Sequence, residues 1–553
     1  MLVILDDGPR RVFQRPSRVI MADHSEQVPA ALAAIGEALD CGRFVAGWLG
    51  YELGYALEPK LARATEVPLL RLGVFETPQT EAPPVRGRAY AGPLTPEWHR
   101  EAYAQRFDRV KGYIAAGDVY QANLSFRARF PFFGEPRALY EQLRGESGAG
   151  HAGFVDDGER QVLSLSPELF FDLAADRSIT VRPMKGTLAR QGDDADGRAR
   201  LAASVKDRAE NLMIVDLIRN DLSRIGSGVT VSDLFEIETY PTLHTMVSTV
   251  TAKTRGDARV ADILRALFPC GSVTGAPKIR AMEILHALES SPRSAYCGAV
   301  GCFAPDGSAR FNVAIRTLTI EGGQGELGIG GGVVQDSQRD SEYDECILKA
   351  RFFTAVRRPL ELIETLRWDG DFVRADAHLA RMGASAKALG LPFAEDVARE
   401  ALKRAVADRS GPARVRLTLN ELGAAKAAAF ELPPDPERWT YALAPDRTDS
   451  ADALLRHKTS WRDLYDREHT GVDEVLFCNE RGELTEGARS NVFIKRDSML
   501  LTPPLDAGVL PGILRAELIE QGRAREATLT PDDLKGEVWF GNSLRGLIRA
   551  IRP

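Results

Sequence analysis

In "ITVRPMKGTLAR" (179–190) an apolar run, Ile179, Thr180 and Val181, leads through Arg-Pro-Met to Lys185. A lysine there is a solvated surface group or, if burial lowers its pKa from about 10.4, a nucleophilic amine. Other stretches carry groups that could serve such a nucleophile. In "SEYDECILKA", Glu342, Glu345 and Lys349 fall at helical spacing on one face, which taken alone is a solvated face. Just ahead, "GIGGGVVQDSQRD" sets Gly330, Gly331 and Gly332 in a row. Their amides can form a nest for a carboxylate, although a tight turn also asks for glycine. In "FPCGSVTGAPKIRAMEIL" a loop with Thr274 and Gly275 runs into Ala276-Pro277, with Glu283 beyond. That reads as a helix start whose free N–H groups attract anions. "FNVAIRTL" puts Arg316 inside an apolar strand, where a guanidinium wants a planar anionic partner.

The elements that must position these groups are marked in the same sequence. "LTPEWHREAYAQRFDRVKGYIAAGD" predicts a helix capped by Thr95, with Pro96 in its first turn and Gly117 as its stop. Tyr103, Phe107, Val110 and Ile114 form its apolar face. "VYQANLSFRARF" alternates as a strand does. "TPQTEAPPVRGRAYAGPLTP" before it reads as a long connection. "KDRAENLMIVDLIRNDLSRIG" predicts a largely buried helix stopped by Gly226, with Asp216 and Asn220 as structural groups. "LARQGDDADGRARLAAS" reads as an exposed loop, and Ser341 as the cap of the helix that closes this half. "RRPLELIETLRWDGDFV" then starts afresh with strand, Asp-Gly turn and strand. These signals predict two domains, 1–357 and 358–553.

The bulk numbers fit an ordinary globular chain of more than one domain: 553 residues, 44% apolar and 27% charged. A net charge of −7 without a long basic run argues against nucleic acid as a partner. Six scattered cysteines, none in a C-x-x-C pair, argue against a zinc site or a disulfide framework. Neither a signal peptide nor a membrane-spanning stretch is evident, so the expected location is cytoplasmic, with no membrane partner.

Taken in order, "GDVYQANLS", "SLSPELFF", "RPMKGT", "AENLMIVDLIRNDL", "TLHTMVSTV", "GSVTGAPKIRAME", "YCGAVGCF", "FNVAIRTL" and "GIGGGVVQDSQRDSEYDECILKA" resemble the chorismate-utilising family. That family holds anthranilate synthase large subunits, isochorismate synthases and aminodeoxychorismate synthases. The resemblance is close over 100–355 and loose over 1–99. It implies an α+β fold with two packed, mainly antiparallel sheets and outer helices. It implies Mg²⁺ on Glu283 and Glu345, with Glu342 beside them, as suits a dianionic substrate. Tyr296, Arg316, Thr274, Gly275, Gly330, Gly331, Gly332 and Lys349 match substrate-holding positions. Glu168 matches a general acid/base and His244 an active-site histidine, although a lone histidine among apolar residues often only satisfies backbone groups. Lys185 discriminates within the family, because the anthranilate branch has alanine there and the aminodeoxychorismate branch lysine. A neutral Lys185 amine would add at ring C2 while the C4 hydroxyl leaves, Glu168 donating the proton; ammonia would then add at C4 and expel the lysine. No cysteine has a glutaminase context, so the resemblance implies a separate glutamine amidotransferase subunit as partner. Tryptophan feedback is not expected.

"HLARM" (378–382), "HKTSWRDLYDRE" (457–468), "DEVLFCNERGELTEGARSNVFI" (473–494), "TPPLDAGVLPGILR" (502–515) and "GNSLRGL" (541–547) form a second ordered set. They resemble class IV pyridoxal-phosphate enzymes, which include 4-amino-4-deoxychorismate lyase and branched-chain or D-amino-acid aminotransferases. The resemblance implies pyridoxal 5'-phosphate carried on Lys458, with Glu486 paired to its pyridine nitrogen. It implies phosphate ligands at Arg381, Ser543 and the backbone N–H groups of Ile513 and Leu514. Trp461 departs from the small polar residue usual three after the lysine. Relatives of this kind form dimers, so a homodimer through this half is expected by analogy. Together the halves imply 4-aminobenzoate synthesis: chorismate and ammonia to aminodeoxychorismate, then pyruvate release with Lys458 taking the C4 proton. Three alternatives remain at this stage. The second half is an amino-acid aminotransferase, or a non-catalytic assembly module, or the first half makes anthranilate, against which Lys185 argues.

Overall fold

The computed structural model describes residues 1–190, 194–239, 243–434, 436–468 and 471–553. The chain forms two compact units. The first comprises Met1–Pro83, Leu94–Phe130 and Tyr140–Val356; the second comprises Pro84–Pro93, Pro131–Leu139 and Arg357–Pro553. One cut at 357 therefore does not separate them, since two short upstream stretches belong to the second unit. Within that unit Ala89–Ala91 pairs with Phe132–Gly134, and Arg86 and Arg88 pair with Asp449 and Asp452. Tyr90 is fully buried in a cluster with Leu360, Leu379 and Met382. The segment read as a connection is thus in part a structural piece of the second unit.

In the first unit two long sheets pack face to face, and every ladder whose register is described there is antiparallel. Val3, Leu5, Phe13, Val155 and Val162 of one sheet cluster with Ala46, Trp48, Phe75 and Val300 of the other. Period-two alternation of apolar residues builds such a two-sheet core. The strand Gln121–Gly134 follows the predicted alternation. The helix Val205–Ser223 is capped by Ser204, whose hydroxyl accepts from Asp207 N. It buries Ile214, Val215, Ile218 and Leu222 among Val250 and Ala252 of the strand Leu243–Thr254.

Several local expectations fail for identifiable reasons. Thr95–Pro96 pairs with the long strand instead of starting a helix. The helix spans Arg100–Ala115, and its cap is His99, whose Nδ1 accepts from Ala102 N. Gly226 begins a strand, and the helix before it ends at Ser223. The closing helix Arg339–Lys349 begins after Gln338, so Ser341 lies inside it. Asp194–Ala203, read as loop, is helical, with Arg190 pairing to Asp194 at its start.

The second unit contains a three-stranded antiparallel sheet, Leu362–Trp368, Ala413–Leu419 and Ala425–Glu431, in that order. It also contains a larger sheet with both parallel and antiparallel ladders. Six strands of the latter run in the order Leu484–Gly487, Glu474–Asn479, Arg438–Thr448, Gly546–Ile551, Glu537–Asn542, Asn491–Arg496. The pairing of Glu486 with Asn491 closes them into a ring. Glu486 therefore sits at the closure of this ring.

Candidate active sites

Lys185 lies on the strand Met184–Ala189, opposite Met246 of the strand Leu243–Thr254. Among the described residues its amine has no hydrogen bond or ion pair. Burial pushes its pKa below the usual lysine range, and Lys349 adds to this, while Glu210 and Glu168 work the other way. Glu168 follows the strand Gln161–Ser166, with its backbone N–H held by Ser166 Oγ at 3.1 Å. It is 3% exposed, and its Oε1 has no partner among the described residues. Burial raises its carboxyl to about 7, against the opposing effects of Ser272 and Lys185. Scarcity of water thus favours the uncharged form of both groups, the pair that amine addition with proton donation requires.

The run Gly330–Gly332 is extended backbone inside the strand Gln324–Val333 and forms no nest. A nest alternates right- and left-handed residues; here glycine is required by close neighbours. A Cβ on Gly330 would lie 2.4 Å from Ser125 Oγ and 2.6 Å from Leu124 O. On Gly332 it would lie 2.5 Å from Gln121 Nε2 and 3.2 Å from Lys185 Nζ. The ends of Gln121 and Lys185 therefore converge over Gly332. Gln121 is fully buried, and among the described residues neither of its amide atoms has a partner, which costs about 1–3 kcal/mol unless a polar ligand arrives. Sequence reasoning missed this residue, because a glutamine in an alternating strand reads as an outward polar group. It also missed Glu210, whose carboxyl is raised by burial and lowered by Lys185.

Lys349 Nζ donates to Gly330 O at 2.9 Å and pairs with Glu345 at 2.9 Å. A Cβ on Gly328 would come 2.1 Å from the Tyr296 ring, so that ring lies flat on the same glycine strand. Thr274 is fully buried, its hydroxyl donating to Cys270 O, and Gly275 pairs with Ala122. Thr274 precedes the two-residue strand Gly275–Ala276, and the helix begins only at Lys278. Arg316 does not lie within a strand. It sits at the break between Ala309–Val313 and Thr317–Glu321 with φ +49°, its carbonyl accepting from Leu165 N. His244 is 1% exposed, and its ring nitrogens meet Thr239 Oγ1 at 3.0 Å and Asp194 Oδ1 at 3.5 Å.

Glu283, Glu342 and Glu345 do not gather into one metal cage. Among the described residues no three His, Cys, Asp or Glu groups are placed to hold an ion. Glu342 is turned to Ser337 Oγ at 2.7 Å and Lys206 at 3.5 Å. Glu283, with its own-helix partner Arg280, and Glu345 keep 39% and 51% of their side chains exposed. Each of these carboxylates is open to an ion, and Mg²⁺ needs few protein ligands because it keeps water or substrate oxygen.

The second unit collects its groups around Lys458. Its backbone oxygen accepts from Ile363 N at 2.8 Å, placing it beside the strand that carries Glu364. Burial lowers its amine to about 8, helped by Arg462 and Arg381. Among the described residues that amine has no hydrogen bond or ion pair. Burial raises Glu486 to about 7, although Tyr465 and Leu510 N oppose it. Tyr465 donates to Oε1 at 2.9 Å and Leu510 N to Oε2 at 3.0 Å. Arg381 donates to both Glu364 oxygens at 2.9 and 2.6 Å and to Pro511 O at 3.0 Å. That last bond ties its helix, Ala375–Ala388, to the loop before the helix Ile513–Glu520. Gly512 caps the latter, and a Cβ there would fall 1.8 Å from Asn491 Oδ1. Ile513 and Leu514 thus offer first-turn N–H groups. Ser543 lies between the strands Glu537–Asn542 and Gly546–Ile551 and meets His378 Nε2 at 2.8 Å. A half-buried amine lowered to about 8, a buried carboxyl and a helix start with free N–H groups fit pyridoxal 5'-phosphate by the chemistry of their donors. His378 and Glu364 were not singled out from sequence, although "HLARM" contains the histidine.

Residues 6–355 match the family described as chorismate binding enzyme, and residues 361–552 match amino-transferase class IV. Aminodeoxychorismate synthase component 1 of Klebsiella aerogenes is 38% identical over 353 residues, covering 58% of this chain and 77% of that protein. The protein of the same name from Escherichia coli (strain K12) is 42% identical over 280 residues, 49% of this chain and 60% of that one. Among solved structures, anthranilate synthase component I from Streptococcus pneumoniae TIGR4 aligns with a TM-score of 0.55 at 22% identity, covering 65% of this chain and 92% of that one; it shares the fold.

Proposed function

Because this chain belongs to the family of chorismate binding enzymes and carries a class IV aminotransferase region, we propose that it makes 4-aminobenzoate in two steps. The first unit converts chorismate and ammonia to 4-amino-4-deoxychorismate, and the second releases pyruvate from that product. The observation that carries the reading is Lys185: a half-buried amine, without a hydrogen-bond or ion-pair partner among the described residues, held toward neutrality within electrostatic reach of a carboxyl at about 7.

Lys185 adds through its neutral amine to ring C2, and Glu168 protonates the C4 hydroxyl, which leaves as water. Ammonia then adds at C4 and the bond from C2 to Lys185 breaks, returning the free amine. Tyr296, Arg316, Thr274, Gly275 and Lys349 hold the dianionic ring, with Gly330–Gly332 giving it room. Glu283 and Glu345 would hold Mg²⁺, which would offset the substrate's negative charge. His244, buried against Thr239 and Asp194, acts as the active-site histidine. Ammonia comes from a glutamine amidotransferase subunit, as the "component 1" in the relatives' names implies.

In the second unit pyridoxal 5'-phosphate supplies an electron sink conjugated to the substrate amine. Lys458 would carry it and then take the proton from ring C4. Glu486, held by Tyr465 and Leu510 N, would keep the pyridine nitrogen protonated. Arg381, Ser543 and the N–H groups of Ile513 and Leu514 would hold the phosphate. The second unit is also the surface through which a homodimer would form. The test supplies the full chain with chorismate, ammonia, Mg²⁺ and pyridoxal 5'-phosphate and identifies the aromatic product. The para amine with stoichiometric pyruvate is expected; the ortho amine overturns the reading.

A further inference from the structure

Three groups in the second unit form a buried line that the proposed chemistry does not use. Glu364, His378 and Ser543 are 1%, 2% and 8% exposed. His378 Nδ1 lies 2.6 Å from Glu364 Oε2, and Nε2 lies 2.8 Å from Ser543 Oγ. Burial works to raise Glu364, but Arg381 and His378 more than reverse this and bring it to about 2. An ionised carboxylate only accepts, so Nδ1 carries a hydrogen in every state of the ring. The state of Nε2 then decides what Ser543 can do. In the neutral ring Nε2 accepts, the Ser543 hydrogen is spent on it, and only oxygen lone pairs remain for a ligand. In the charged ring Nε2–H donates to Oγ, and the Ser543 hydrogen is free to point at a ligand.

We infer that His378 is a positioning residue that turns the Ser543 hydroxyl into a donor toward a phosphate monoester, so that the second unit takes up one proton when it binds the phosphorylated cofactor. The inference rests on the reading that this unit holds pyridoxal 5'-phosphate with its phosphate at Ser543. The charge count points the same way. Arg381 is matched by Glu364 across two hydrogen bonds. Arg374, at the start of the same helix, is matched by Glu517 of the helix Ile513–Glu520, while its Nη1 reaches Ser543 O at 3.4 Å. Lys458 is held toward neutrality. With Arg381 and Arg374 each matched by a carboxylate, a proton on His378 adds positive charge directly beside Ser543, in addition to Arg545 two residues on, whose guanidinium donates to Pro433 O and Pro434 O. The proton comes from solvent to Nε2, the hydroxyl rotates, and no covalent bond changes.

The test compares capture of pyridoxal 5'-phosphate with capture of pyridoxal, which lacks the phosphate, by absorbance on the full chain. Between about pH 7 and about pH 9 the phosphate is already a dianion. Titration of Lys458 and of the pyridoxal ring is common to both ligands and cancels in the ratio of their dissociation constants. In the native chain the preference for the phosphorylated form should fall as pH rises, by up to about tenfold per pH unit where one proton is taken up on binding. His378→Gln, whose amide donates but does not titrate, should leave that preference flat with pH. Ser543→Ala, which keeps the Glu364–His378 pair, should also be flat and should weaken the phosphorylated ligand alone. A flat preference in the native chain, or an unchanged slope in both variants, overturns the inference while the cofactor reading stands. Capture of neither ligand by the native chain overturns both.

Discussion

Lys185 and Glu168 are displaced in opposite directions by one cause. Water is scarce around both, and scarcity penalises whichever form is charged, so the amine moves down and the carboxyl up. The sign of the pH dependence follows. Addition needs Lys185 without its proton and Glu168 with it. Raising the pH through about 7 removes the Glu168 proton, so aminodeoxychorismate formation should decline on the alkaline side. Lowering it through the depressed Lys185 value charges the nucleophile and closes the acidic side. Glu168→Gln keeps the shape of the side chain but has no titrating group. It should slow the first step about 10²–10⁴-fold and abolish the alkaline limb of the pH–rate profile. An alkaline limb that persists in the variant would assign that proton to another group.

At the scale of elements the glycine strand does the positioning. Ser125 Oγ and Leu124 O press against Gly330, and the backbone oxygen cannot give. Gly330→Ala should therefore damage the sheet itself, by about 1–3 kcal/mol of overpacking, seen as a lower thermal midpoint. At Gly332 the close atoms are the ends of the Gln121 and Lys185 side chains, which can move aside. Gly332→Ala should melt near the native temperature yet lose about 10²-fold in amination, since a displacement of about 1 Å is that costly. Equal melting losses in both variants would refute this division. The strand shows where sequence is informative and where it is not. Apolar alternation in Gln121–Gly134 and the ordered motifs were readable, because periodicity and motif order survive in one dimension. The glycine run was misread as a carboxylate nest or a tight turn. Glycine count does not reveal whether the need is for left-handed backbone or for a missing Cβ, and that depends on strands distant in sequence. Arg316 was misread for a related reason, since "FNVAIRTL" stays apolar across a break that only its φ of +49° reveals. The line from Glu364 through His378 to Ser543 spans the sequence from 364 to 543, and no local pattern announces it.

At the scale of the whole molecule, each of the two units holds its own half-buried lysine, brought toward neutrality by loss of water and tuned in both directions by a different set of neighbours. Lys185 answers to Lys349, Glu210 and Glu168; Lys458 answers to Arg462, Arg381, Glu364 and Glu486. No group appears in both sets, so removing one amine should leave the other's chemistry intact. Lys458→Ala in the full chain should consume chorismate within about twofold of the native rate while 4-aminobenzoate formation falls roughly 10³-fold. The 4-amino-4-deoxychorismate that accumulates is measurable by chromatography. Lys185→Ala should do the converse, consuming no chorismate yet releasing pyruvate when given 4-amino-4-deoxychorismate. If Lys458→Ala also stopped chorismate consumption while its melting temperature stayed native, the two chemistries would be coupled, and the assignment of one lysine to each step would fall. If it made 4-aminobenzoate at the native rate, the second unit would not be the lyase.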